Sequence, residues 1–107
     1  MSIKQLSVID LKMKLDHKTS IFLLDVREPH EFNYAKIAGS VLIPLNQIPQ
    51  RISELNKDQE IVVICHHGMR SQQAASYLEQ AGFKDIANLK GGIDAWSCEC
   101  DRSVARY

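Results

Sequence analysis

Blocks of apolar residues alternate with polar stretches along the chain, and the spacing inside each block changes. Ile61-Val62-Val63-Ile64 puts four β-branched residues together, a strand signal. Ile21-Phe22-Leu23-Leu24-Asp25-Val26 is nearly all apolar, as expected of a strand buried on both faces. Ile3–Leu6, Val41–Ile43 (stopped by Pro44) and Ile86–Leu89 predict three shorter strands. Between them the period becomes helical. Ser7 reads as an N-cap before Val8, Leu11 and Leu15, with Asp10 three residues on. Ile48, Ile52 and Leu55 form one stripe on a helix of about two or three turns. Ala74, Ala75, Leu78 and Ala81 line a helix over Ser71–Gly82, with Gly82 closing it. Arg27–Asn33 is a polar segment, and a short helical turn through Trp96 follows Gly91-Gly92. Strands alternating with helices predict an α/β fold: a roughly five-stranded parallel sheet with helices on both faces, in three layers.

Length adds a bound. A chain of 107 residues buries about two-thirds of its surface on folding, enough for a core without staples, and 1–107 reads as a single domain. Thirteen basic and thirteen acidic residues cancel, so nothing in the charge balance calls for nucleic acid or an anionic membrane. Met1–Gln5 lacks the pattern of a signal peptide and no apolar run is long enough to span a bilayer, which predicts a cytoplasmic protein. The odd set Cys65, Cys98 and Cys100 is no disulfide framework and leaves at least one free thiol.

The candidate chemistry lies where the strongest strand meets the next helix, Cys65-His66-His67-Gly68-Met69-Arg70-Ser71. In parallel sheets ligands sit beyond the carboxyl ends of strands. A loop this tight must curl, and Gly68 allows the curl. Several backbone N–H groups should then point inward beside the positive end of a helix. A free cysteine is only a few per cent thiolate at neutral pH, and correcting this takes roughly 2.7 kcal/mol favouring the anion. A helix terminus (up to about 2 kcal/mol) with charge-assisted N–H bonds (about 1.5–3 each) supplies it. The loop therefore predicts a nucleophilic Cys65 thiolate in a cradle made by His66, His67, Gly68, Met69, Arg70 and Ser71, and Arg70 offers a planar fork for an oxyanion.

This chain resembles the single-domain rhodanese family. The resemblance is carried by Leu24-Asp25-Val26-Arg27-Glu28 with Glu31-Phe32, by Ile37-Ala38-Gly39-Ser40 leading to Ile43-Pro44-Leu45, by the Cys65–Ser71 loop, and by Asn88-Leu89-Lys90-Gly91-Gly92-Ile93-Asp94-Ala95-Trp96. It implies sulfurtransferase chemistry without metal or organic cofactor: Cys65 takes a sulfur from a thiosulfate-like donor as a persulfide and passes it to cyanide, a thiol or a thiol-bearing protein. An alternative is a persulfide carrier or sensor acting with a protein partner. Family members that act on phosphate or arsenate carry one more residue in the loop; four residues separate Cys65 from Arg70 here, which favours the smaller sulfur cradle. Lys36 and Ser40 depart from the family pattern, and Lys36 puts an extra cation near the rim.

Other residues carry two readings. Asp25 or Glu28 orients Arg70, or else pairs with Arg27 or caps a helix. His66 and His67 point outward from a loop that works through its backbone, or one relays a proton. Cys98 and Cys100 are surface thiols, or a relay for the persulfide. The spacing of these cysteines does not suit zinc. Trp96 and Ile93 close the core.

Overall fold

In the computed structural model, which describes residues 3–107, the elements follow the order β1 (Lys4–Leu6), α1 (Val8–Asp16), β2 (Phe22–Asp25), α2 (Pro29–Tyr34), β3 (Val41–Leu42), α3 (Ile48–Arg51), β4 (Ile61–Ile64), α4 (Met69–Gln80), β5 (Ile86–Leu89) and α5 (Gly92–Glu99). The strands form one parallel sheet in the order β1-β5-β4-β2-β3. β4 is central, which is why its four residues are all buried.

Alternation along β4 separates two cores. Ile61, Val63 and Cys65 face one side, with Leu24, Ile48, Ala74, Ala75 and Leu78. Val62 and Ile64 face the other, with Val8, Leu11, Ile93 and Trp96. Helices α3 and α4 therefore cover one face and α1 and α5 the other: the three layers expected. Ser7 caps α1, its hydroxyl accepting from the Asp10 N–H at 3.0 Å. No helix among the described residues is long and apolar enough to cross a membrane.

Three elements differ from expectation. The stripe of Ile48, Ile52 and Leu55 is not one helix of two or three turns but a four-residue α3 between 3-10 turns at Leu45–Gln47 and Ile52–Glu54. Pro49 has no N–H to continue the ladder back to Leu45. The polar segment after β2 contains helix α2, started by Glu28-Pro29 and by the Glu31 side chain, which accepts from the Glu28 N–H at 3.0 Å. Helix α4 begins at Met69, two residues before the predicted start, because Gly68 takes φ +109° and serves as its N-cap.

The end of β2 is locked by an ion pair. Asp25 and Arg27 side chains are fully buried and meet at 2.6 Å, and Arg27 also donates to the Ala35 carbonyl at 2.6 Å. Burial works against the Arg27 charge, yet the bonds to Asp25 and Tyr107 outweigh it and hold the guanidinium above its ordinary range.

Candidate active site

Cys65 directly follows the central strand β4 and is 1 % exposed. Its Sγ accepts from the Gly68 N–H at 3.0 Å, and the Ser71 hydroxyl lies at 3.3 Å. One loop amide and one hydroxyl thus reach the sulfur, where several amides were expected. The twelve-residue α4 starts beside it, directing its positive end toward the sulfur.

The loop takes this shape because the next strand and helix hold its other side. The Ile93 and Asp94 N–H groups, in the first turn of α5, donate to the carbonyls of Cys65 and His66 at 2.8 and 3.1 Å. Gly92 makes the approach close: a Cβ there would lie 2.5 Å from the Cys65 carbonyl oxygen and nearer still to that of His66. Asn88 at the end of β5 donates to the Gly68 carbonyl at 3.2 Å and to Gln5 at 2.9 Å, and its own Oδ1 accepts from Ser71. The Gly-Gly segment and the asparagine thus shape the sulfur site from behind.

Above the sulfur is a hollow of about 360 Å³ lined by Cys65, His66, His67, Met69 and Arg70. Arg70 is gripped by Glu31, its Nη1 and Nη2 donating to Oε1 and Oε2 at 2.6 and 2.8 Å. That grip holds the Glu31 carboxyl at about 2, well below the usual 4.5. The pair engages two of the five N–H groups of the guanidinium. The expected orienting residues do other work: Asp25 is spent on Arg27, and Glu28 is the N-cap of α2. Glu31, the residue that does orient Arg70, carried a faint signal as the third helical residue after the Glu28 cap.

His67 is exposed, as expected, whereas His66 is half-buried. The His66 ring stacks on His67 and on Tyr107, each at 3.9 Å, and its Nε2 is buried without a hydrogen-bond partner. His66, His67 and Asp94 each bring one ligand atom within 4.8 Å of the others, but Arg106 already holds Asp94 at 3.1 Å. Cys98 opens on a different hollow, with Arg102 and Arg106, and burial pushes the Cys100 thiol up. Lys36 lies 4.9 Å over the Phe32 ring, and the Ser40 hydroxyl bonds the Ile37 carbonyl. Trp96 and Ile93 are core residues.

The sequence pattern of the Rhodanese-like domain matches residues 7–99. The chain belongs to the rhodanese-like family. Among relatives of this rhodanese-like chain, the thiosulfate sulfurtransferase GlpE of Pseudoalteromonas translucida is 35% identical over 106 residues, covering 99% of this chain and 100% of that one. A Bacillus subtilis protein provisionally named sulfur carrier protein YrkF is 42% identical over 96 residues, 90% of this chain but 52% of that protein. The crystal structure of a rhodanese-like domain protein from Staphylococcus aureus superposes with a TM-score of 0.86 at 30% identity, over 98% of this chain and 99% of that one.

Proposed function

We propose that the chain is a sulfurtransferase that moves sulfane sulfur from a thiosulfate-like donor to cyanide or a thiol through a persulfide on Cys65. The observation that carries this reading is the Cys65 sulfur at the start of α4, with the Gly68 N–H and the Ser71 hydroxyl directed at it. Donors so placed stabilise an anionic sulfur, whether thiolate or persulfide. The names of the relatives support the same chemistry.

In the first half-reaction the Cys65 thiolate attacks the outer sulfur of thiosulfate. The S–S bond of the donor breaks, its electron pair leaves with sulfite, and the enzyme keeps the sulfur as an anionic persulfide. In the second, cyanide or a thiolate attacks that outer sulfur, the persulfide bond breaks, and its pair returns to Cys65. Thiocyanate or a new persulfide departs. Arg70 receives the charged end of the donor with the N–H groups that Glu31 leaves free. A sulfur carrier would run the first half alone and deliver to a protein thiol, a reading favoured by the name of the Bacillus subtilis relative.

Two measurements test the proposal. Thiosulfate should add about 32 Da to the Cys65 peptide, and thiosulfate:cyanide turnover should follow. Cys65→Ser should lose both while its melting temperature stays close to native. Turnover retained in that variant would remove Cys65 as the nucleophile. Persulfide formation with negligible turnover to cyanide would favour the carrier.

A further inference from the structure

Two contacts build one wall of the hollow over Cys65, and of their four residues the proposed sulfur chemistry uses only Arg70. In one, the Tyr107 ring lies face to face on the His66 imidazole, 3.9 Å between centroids and 6° between planes. In the other, Glu31 grips Arg70. His66 and Arg70 line the hollow of Cys65. Their partners Tyr107 and Glu31 line a neighbouring hollow of about 510 Å³ with His30 and Tyr34. The two contacts therefore stand back to back between the hollows.

The Tyr107 hydroxyl ties them together. It donates to Glu31 Oε2 at 2.9 Å, the oxygen that also accepts from Arg70 Nη2 at 2.8 Å. The direction follows from the third partner: Arg27 Nη1 donates to the same hydroxyl oxygen at 2.8 Å, and a guanidinium accepts nothing. Arg27 is itself fixed in the interior by Asp25 and the Ala35 carbonyl. Burial raises the Tyr107 hydroxyl above its ordinary range, so it keeps the proton it donates. The base of the tie is buried, while Tyr107 as a whole residue is 42% exposed and follows a stretch without regular helix or strand, anchored by buried Val104. Such a residue can leave and return at the cost of its hydrogen bonds to Arg27 and Glu31.

We propose that Tyr107 is a specificity-determining residue that sets the size of sulfur acceptor reaching Cys65. Small anions such as cyanide and thiosulfate enter with the ring in place. A bulky thiol reaches the sulfur only when the ring leaves His66 and the two hollows join. This rests on Cys65 being the sulfur-bearing nucleophile, but its test does not depend on sulfur transfer.

Alkylation of Cys65 by a small reagent, iodoacetamide, and a bulky one, fluorescein maleimide, reads the wall directly, with the Cys65 peptide resolved by mass spectrometry from Cys98 and Cys100. In Tyr107→Ala the bulky reagent should react about tenfold faster, about 1.4 kcal/mol of barrier, while iodoacetamide stays within about twofold. Tyr107→Phe keeps the ring but loses the tie, and should fall between native and Ala. In turnover, the KM for glutathione should drop about fivefold in Tyr107→Ala while that for cyanide holds. A bulky-to-small ratio unchanged by Tyr107→Ala, or both reagents accelerated alike, would overturn the proposal. Absence of sulfur transfer alongside a shifted ratio would overturn the sulfurtransferase reading and leave the wall standing.

Discussion

Ser71 holds one hydroxyl proton between two acceptors, the Cys65 sulfur at 3.3 Å and Asn88 Oδ1. Asn88 cannot turn to help, because its amide nitrogen already donates to Gly68 and Gln5. In Ser71→Ala the buried Asn88 oxygen loses its donor, at a cost of about 1–3 kcal/mol in denaturant unfolding. The same change removes a donor to anionic sulfur. Persulfide formation from thiosulfate should slow by about tenfold or more, measured in a single turnover. Unaltered single-turnover kinetics would confine Ser71 to a structural role. Cys65, Gly68, Arg70 and Ser71 are legible because they lie within seven consecutive residues. Asn88 carries no separate signal in the sequence, since its partner Ser71 lies seventeen residues away.

At the scale of elements, the turn from β5 into α5 presses against the turn from β4 into α4, and glycine permits the approach. Gly92 has φ +63° and no space for a side chain, whereas Gly39 has φ +85° and nothing within 4 Å. Gly39→Ala should cost on the order of 1 kcal/mol, from backbone conformation alone. Gly92→Ala must in addition push back the carbonyls of Cys65 and His66, and should cost more than about 3 kcal/mol. Thermal unfolding of the two variants separates these causes; equal losses would mean that the packed turn carries no special constraint. Runs of apolar residues located the strands, because strands in the middle of a parallel sheet are buried on both faces. The helical period misjudged α3 and passed over α2, whose buried face is too small to leave a stripe: none of its residues is fully buried.

Across the whole molecule, the Glu31–Arg70 pair joins α2 to α4 over the site. The Arg70 bonds hold the folded Glu31 carboxyl at about 2 against the usual 4.5. A depressed carboxyl stabilises the fold above its unfolded value, and that contribution fades as pH falls from about 4.5 to about 2. Urea midpoints measured across this window should decline for the native chain. Glu31→Gln should remove this part of the slope, together with on the order of 1–2 kcal/mol at neutral pH, after allowance for solvent around half-buried Arg70. An identical acid slope in the variant would show that other carboxyls govern acid unfolding.

By itself the sequence determined the layered parallel sheet, the loop that carries the cysteine, and the family. Each is written in short-range order: continuous apolar runs for strands, the helical period, and residues held within one turn. Tertiary structure alone decided which carboxylate answers Arg70 and what stands beside the site. Asp25, Glu28 and Glu31 are alike as acids; only the end of β2 and the first turn of α2 aim them differently, the first inward to Arg27 and the last across to Arg70. Tyr107 reached His66 by the path of the chain through space, for which a linear pattern has no period.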